Sequence, residues 1–216
     1  MKAIAVNGSP RKNWNTGILL KRATDGAASV GAETETINLY ELNYKGCTSC
    51  FACKVKDGKR AGRCAMKDDL TEVLEKVIAC NVLLLGSPIY LGDITGAMRS
   101  FLERFVFMNL SYDESHRTNF AGKISIGFIY TMGMPQKMLE ESGYKYNFNL
   151  HMQYLQLLNG TTEYLISSDT YQFDDYLKYA ASKFDEKHKA KVREEQFPVD
   201  SQKAFEMGIR LAAFIK

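Results

Sequence analysis

Lys2-Ala3-Ile4-Ala5-Val6-Asn7 runs directly into Gly8-Ser9-Pro10-Arg11-Lys12-Asn13-Trp14-Asn15-Thr16-Gly17, and this junction decides how the rest of the chain is read. The first six residues read as a buried strand. The polar loop behind them opens a helix over Asn15–Val30, with Ile18, Leu19, Ala23 and Ala27 on one stripe and Gly31 just past its end. In open α/β sheets, ligands bind at the carboxyl ends of the strands, beside the switch point. A helix N-terminus placed there offers free N–H groups and the positive end of its dipole to an anion. Ser9, Asn15 and Thr16 add short polar groups, and Arg11 adds charge. The loop has neither GxxxxGK[ST] nor GxGxxG spacing. An anion site without either signature favours a mononucleotide phosphate held by hydroxyls and backbone. The plainer reading of the same residues is ordinary helix capping.

Outward from this junction, short apolar runs alternate with helical periodicity. Glu33–Asn38 is a weaker second strand. Asp68 or Asp69 can cap a helix running to about Ala79, with Leu70, Val73, Leu74, Val77 and Ile78 inward. Asn81–Ser87 is apolar at nearly every position, the pattern of a parallel strand covered on both faces. A helix over Ile94–Phe107, a strand over Lys123–Tyr130, a helix over Asn147–Leu158 and a strand over Thr162–Ser167 follow. The last helix is expected to start near Asp200, with Ala204, Met207, Leu211, Phe214 and Ile215 spaced for burial. Five strands joined by helices predict an α/β three-layer sandwich. Its five-stranded parallel sheet, with helices on both faces, takes the flavodoxin-like order 2-1-3-4-5. Residues 1–216 read as one domain, with a cysteine-rich loop at 46–64 and an irregular C-terminal extension near 171–199, which reads as a solvated helix and a loop before the last helix, a dimer arm being the alternative.

Two further loops share the carboxyl edge. The third strand ends in Pro88-Ile89-Tyr90-Leu91-Gly92, where Pro88 stiffens the turn and Gly92 admits close backbone approach to a ring. Next to a phosphate cradle, such a loop suits a flat heteroaromatic ring. The fourth strand ends in Thr131-Met132-Gly133-Met134-Pro135. On the plainer reading Tyr90 and Tyr130 are rim aromatics.

The composition fits a water-soluble protein: 45% of the 216 residues are hydrophobic and 25% charged. The net charge of +3 and the lack of a dense basic run give no footprint for nucleic acid. No apolar run is long enough to span a bilayer, and the N-terminus lacks the regions of a signal peptide. A cytoplasmic location is the expectation.

The N-G-S-P-R-K…N-T-G loop, the G-S-P-I-Y-L-G-D-I-T-G-A-M-R-S-F-L-E-R stretch and the K-D-D-L before a helix resemble the NADPH-dependent FMN reductase group of flavodoxin-fold proteins. The branch called iron–sulfur flavoproteins is especially similar. The resemblance runs from Met1 to about Gly133. It implies that Ser9, Arg11, Asn15, Thr16 and Gly17 surround an FMN phosphate. It also implies that Pro88, Ile89, Tyr90, Leu91 and Gly92 border the isoalloxazine, with Thr131 and Gly133 on the third side. The implied activity is transfer of electrons from NAD(P)H, or from a ferredoxin-type carrier, through FMN to a quinone, another flavin or an Fe–S acceptor. By the same likeness a homodimer or homotetramer is expected.

Four of the five cysteines cluster as Cys47, Cys50, Cys53 and Cys64. C-x2-C-x2-C is a strong thiolate-ligand pattern, and a fourth cysteine can complete a cubane site. Lys45, Lys54, Lys56, Lys59, Arg60 and Arg63 surround it, and Gly58 and Gly62 interrupt a longer gap than iron–sulfur flavoproteins usually have. The resemblance implies a [4Fe–4S] cluster on these four residues. A zinc site, a redox-active dithiol and plain reduced cysteines are the alternatives. Cys80 stands alone and reads as a small buried residue.

His116, His151 and His188 are scattered and form no metal-binding spacing. No nucleophile elbow or triad stands out, and flavin chemistry needs none, since the cofactor carries the reaction. Two other readings compete: a flavodoxin-like electron carrier without turnover of its own, disfavoured by the basic charge, and a non-redox flavodoxin-like binding module.

Overall fold

Strands that are apolar on both faces belong in the middle of a parallel sheet, and the chain puts them there. The computed structural model describes residues 1–56 and 61–213. Strands β1 (Lys2–Asn7), β3 (Val82–Tyr90) and β5 (Ile124–Thr131) are buried along most of their length. The more polar β2 (Glu33–Asn38) and β6 (Asn159–Ser167) form the edges. The order is β2-β1-β3-β5-β6, parallel throughout, which is the expected flavodoxin-like order.

One element was not foreseen. Asp93–Ile94 forms a two-residue strand, β4, that folds back antiparallel on the end of β3, pairing Ile89 with Ile94 and Tyr90 with Asp93. The helix expected from Ile94 therefore begins at Gly96. This helix, α3 (Gly96–Asn109), is capped by Thr95, whose Oγ1 accepts the Met98 N–H at 3.3 Å and donates to the Gly8 carbonyl at 2.7 Å. Thr95 thereby joins the second strand-end loop to the first.

Alternation along the strands sorts the core into two layers. On one face Ala3, Ala5, Val82 and Leu84 meet α1 (Asn15–Ser29) and the C-terminal helix. On the other, Ile4, Val6, Leu83, Leu85, Ile126 and Phe128 meet α2 (Leu70–Ile78), α3 and α5 (Tyr144–Leu155). The short helix α4 (Gln136–Glu141) precedes α5. Tyr130 is fully buried, stacked between Phe128 and Phe148 at ring distances of 4.3 and 4.2 Å. It is a core residue and not a rim aromatic. Cys80 is buried as expected.

The C-terminal helix departs most from expectation. α6 spans Glu186–Ala213 and carries Pro198 inside it, so the solvated helix expected in the irregular stretch and the last helix expected from Asp200 are one continuous helix. A polar run containing proline reads as a break, but Lys189, Phe197 and Asp200 turn inward along the stripe that continues to Ala204, Met207 and Leu211. The buried polar members find partners: Asp200 accepts from Ser167 Oγ at 2.7 Å, and Lys189 pairs with Asp169. Packing over this stripe outweighs the helix bond that the proline removes. Phe214 and Ile215, expected in the same stripe, lie outside the described residues, as do Gly58, Lys59 and Arg60 of the cysteine loop.

Candidate functional site

The first strand-end loop is built by its own side chains. Asn7 accepts the Ser9 N–H at 3.0 Å and donates to Asn38 at 3.1 Å, and Ser9 Oγ accepts the Arg11 N–H at 3.2 Å. A Cβ on Gly17 would stand 1.9 Å from the Lys12 carbonyl oxygen, so only glycine admits this close turn. Trp14 caps α1 without any side-chain hydrogen bond. No hydroxyl or carboxylate therefore competes for the first-turn N–H groups.

The polar side chains expected to grip a phosphate are largely engaged elsewhere. Thr16 Oγ1 lies 2.8 Å from Thr131 Oγ1, tying the first loop to the third. Asn15 Nδ2 donates to the Tyr171 carbonyl at 2.9 Å, as does Trp14 Nε1 at 3.2 Å, and Arg11 donates to the Gln172 carbonyl. Arg193 of α6 donates to Asn15 Oδ1 at 2.8 Å, and both Arg11 and Arg193 lie over the Trp14 ring. Ser9, Asn15 and Thr16 thus hold the loop in shape, which leaves the backbone N–H groups and the guanidinium donors of Arg11 beyond Nη1 for an anion.

The second loop is a β-hairpin turn. Leu91 (φ +52°) and Gly92 (φ +90°) both take left-handed backbone, the signature of a type I′ turn. Leu91 is fully exposed and Tyr90 half exposed. Asp93 links this turn to the core. It receives Arg99 Nη2 at 2.6 Å and faces His151 Nε2 at 3.3 Å, while His151 Nδ1 lies 3.1 Å from the Tyr130 hydroxyl. Burial holds His151 below its ordinary pKa, with Asp93 partly opposing. The neutral ring then accepts from the Tyr130 hydroxyl at Nδ1 and keeps Nε2 toward Asp93.

The third loop is clamped from behind. Asp169 N donates to the Met134 carbonyl at 2.8 Å and Thr170 N to the Met132 carbonyl at 3.0 Å. Lys189, almost wholly buried, donates to the Gly133 carbonyl and to Asp169, and His188 Nε2 lies 2.6 Å from the other Asp169 oxygen. Burial opposes ionisation of Asp169, but Lys189 and His188 outweigh it and hold the carboxyl below its usual range.

Between the second and third loops lies a cavity of about 610 Å³, bordered by Ile89, Leu91, Gly92, Gly133, Gln172 and Lys189. Its size and largely apolar wall suit one flat ligand ring. Pro88, Tyr90 and Thr131 flank the loops without lining it, and Gln172 stands between it and the phosphate loop. The residues present therefore fit a mononucleotide: a cavity for the ring, and an uncapped helix end with Arg11 for the phosphate.

Cys47, Cys50, Cys53 and Cys64 all line one small cavity of about 20 Å³ beside α3. They do not close around a metal: among the described residues no three Cys, His, Asp or Glu side chains are placed to hold one. Cys53 is buried, Cys47 and Cys64 half-buried and Cys50 exposed. Burial pushes the Cys53 thiol up, against Lys54. Lys54 itself turns to the Phe107 and Leu110 carbonyls at the end of α3. The donor set still suits a thiolate-bound group. Arg104 lines the same cavity, hydrogen-bonding to Cys64 and Asp68.

The sequence profile of NADPH-dependent FMN reductases matches residues 1–157. The chain belongs to that family. It is 31% identical over 127 residues to an iron–sulfur flavoprotein of Methanocaldococcus jannaschii, a match covering 59% of this chain and 62% of that protein. An iron–sulfur flavoprotein of Archaeoglobus fulgidus is 36% identical over 104 residues, covering 48% of each. The matched stretch thus spans about half to under two thirds of these relatives' own length. The fold matches a solved NAD(P)H:quinone oxidoreductase from Methanothermobacter marburgensis, with a TM-score of 0.71 at 15% identity and 98% of each chain covered.

Trp14, Arg193, His151, Lys189 and Arg104 were missed from sequence. Lys189, Arg193 and Phe197 continue the Ala204–Met207–Leu211 helical spacing upstream, which is the one signal that would have placed the C-terminal residues. His151 carries no motif and gains its partners only through the fold.

Proposed function

We propose that the chain binds one FMN and uses it to pass electrons from NAD(P)H, or from a ferredoxin-type carrier, to a small acceptor such as a quinone, a flavin or an Fe–S centre. The observation that carries this reading is the pairing of an uncapped α1 N-terminus with a ring-sized cavity at the carboxyl edge of the sheet, in a chain of the FMN reductase family. The phosphate would sit against the α1 backbone N–H groups and Arg11, in a loop shaped by Ser9, Asn15, Thr16 and Gly17. The ring would be bordered by Pro88, Ile89, Tyr90, Leu91 and Gly92 on one side and by Thr131 and Gly133 on the other. Lys189 and Asp169 hold the Gly133 loop in place, and the apolar wall excludes water from the ring. FMN, when bound, supplies the hydride and electron chemistry.

Cys47, Cys50, Cys53 and Cys64 would hold a [4Fe–4S] cluster, which supplies one-electron transfer. A cavity of this size holds about one water, so binding requires the loop carrying Cys47 and Cys50 to move outward. A homodimer or homotetramer in the cytoplasm is the proposed setting.

The test is anaerobic mixing of the FMN-loaded protein with NADH, NADPH or a reduced ferredoxin, followed by flavin absorbance. Bleaching of the flavin band by at least one of the three is expected. A loaded protein that none of them reduces would sink the proposal.

A further inference from the structure

The segment after β6 reaches both halves of the proposed FMN site at one residue. Gln172 accepts Arg11 of the phosphate loop at its backbone carbonyl, and its side chain lines the ring cavity. There the carboxamide lies so close over Gly133 that a Cβ on that glycine would collide with it. The backbone is fixed from the other side as well. The Gln172 N–H donates to the Tyr176 hydroxyl at 3.1 Å, and Tyr176 is buried against the rings of Tyr171, Phe173 and Phe184. The preceding carbonyl, of Tyr171, accepts from Asn15 and Trp14 at 2.9 and 3.2 Å. The carboxamide is therefore carried on a stretch of chain that packing and hydrogen bonds hold in place, as a binding group requires.

Its own polar atoms are unspent. Among the described residues, the hydrogen bonds at Gln172 are made by its backbone, and neither Oε1 nor Nε2 has a partner. Other polar side chains of the cavity wall are committed: Lys189 and His188 both hold Asp169, and Asp185 accepts the His188 N–H at 3.1 Å. Tyr144 and Lys183 add one polar group each. Among the described lining side chains, only Gln172 sets a neutral acceptor and a neutral donor side by side.

That pair has a counterpart on a flavin. The pyrimidine edge of an isoalloxazine presents N3–H between two carbonyl oxygens, O2 and O4. A carboxamide meets such an edge with two hydrogen bonds, its oxygen accepting from N3–H and its NH2 donating to one of the carbonyls, much as glutamine reads the edge of adenine. Whichever carbonyl takes the donor, N3–H is common to both arrangements. The dimethylbenzene edge has no polar atom to offer, and the ribityl hydroxyls form no fixed acceptor–donor pair. We propose that Gln172 binds the pyrimidine edge of the flavin through its carboxamide, and so selects a ring with a free N3–H and decides which end of the ring faces the third strand-end loop. The inference rests on the FMN reading given under Proposed function.

The experiment titrates the flavin-free full chain with FMN and with FMN methylated at N3, in wild type, Gln172→Ala and Gln172→Met, followed by flavin fluorescence. Far-UV dichroism reports the fold. Methylation removes the N–H that Oε1 would accept, and methionine keeps the length of the side chain without its polar atoms. Wild type should bind FMN at least tenfold more tightly than the methylated flavin, because a site built around a hydrogen bond rejects the analogue that cannot make it. Both variants should bind FMN at least about fivefold more weakly than wild type, and their preference for FMN should shrink to within about threefold. Should Gln172→Ala lose the fold, Gln172→Met carries the test. Wild type that binds the two flavins alike, or variants that keep the wild-type preference, overturns the inference and leaves FMN binding standing. A preference kept while both affinities fall would put the side chain on the ribityl chain instead. A preference that closes only because the methylated flavin binds the variants more tightly makes Gln172 a steric wall, and likewise overturns the inference. Wild type that fails to bind FMN overturns both this inference and the reading it rests on.

Discussion

Replacing Lys189 by Met removes a buried ammonium that holds the third strand-end loop. Lys189 is 3% exposed and pairs with Asp169, itself 9% exposed, while also reaching the Gly133 carbonyl. Removing one partner of a buried pair costs about 3–5 kcal/mol because it strands the other charge. Asp169 keeps His188 at 2.6 Å, so the low end applies, about 3 kcal/mol. For a chain of this size each kcal/mol shifts Tm by roughly 2–4 °C, so Tm should fall by roughly 6–12 °C. The double variant Lys189→Met/Asp169→Asn strands no charge and should lose clearly less than the sum of the two single variants. Urea unfolding followed by circular dichroism measures all four proteins. A Lys189→Met protein within about 1 kcal/mol of wild type, or strict additivity in the double variant, would refute the reasoning.

Three further outcomes are expected. Gly17→Ala forces a Cβ against the Lys12 carbonyl and should weaken FMN binding at least tenfold, about 1.4 kcal/mol, as read by flavin fluorescence; unchanged affinity would show that the loop does not shape the phosphate site. His151 is held below its ordinary pKa of 6.5, chiefly by burial, so the native state binds fewer protons than the unfolded chain. Its contribution to stability is present above about pH 6.5 and is lost as the pH falls through the lower native value. Urea midpoints should drop toward pH 5, and His151→Phe should shrink that drop; equal drops in both proteins would assign the pH dependence elsewhere. Burial pushes the Cys80 thiol up to about 12, whereas Cys50 is exposed. Iodoacetamide near pH 8 should label Cys50 in the native protein prepared free of iron and Cys80 only after unfolding, which peptide mass spectrometry would show.

The sheet order was legible because β1, β3 and β5 carry near-continuous apolar runs, and such runs have few places to go other than the centre of a parallel sheet. The edge strand β2 matches its expected span from Glu33 to Asn38. The loops at the strand ends were legible as polar or glycine-bearing interruptions between periodic segments. What escaped notice was set by partners distant along the chain. α6 hides its inward stripe under charged residues: Lys189 and Asp200 are buried only because Asp169 and Ser167 wait opposite them. The β4 hairpin depends on two left-handed residues, one of them a leucine, which no propensity would place there. The side chains of Asn15 and Thr16 look like phosphate ligands in a linear reading. In the fold they meet Tyr171, Arg193 and Thr131, and so they shape the cradle from behind.

The most direct test of the central claim is a fluorescence titration of the flavin-free protein with FMN and, separately, with riboflavin. A ring in the cavity with its phosphate on the α1 N-terminus predicts saturation at about one FMN per chain, with riboflavin bound at least a hundredfold more weakly because it lacks the anion that the helix end and Arg11 receive. Failure to bind FMN would contradict the account, and equal affinity for the two flavins would contradict the placement of the phosphate.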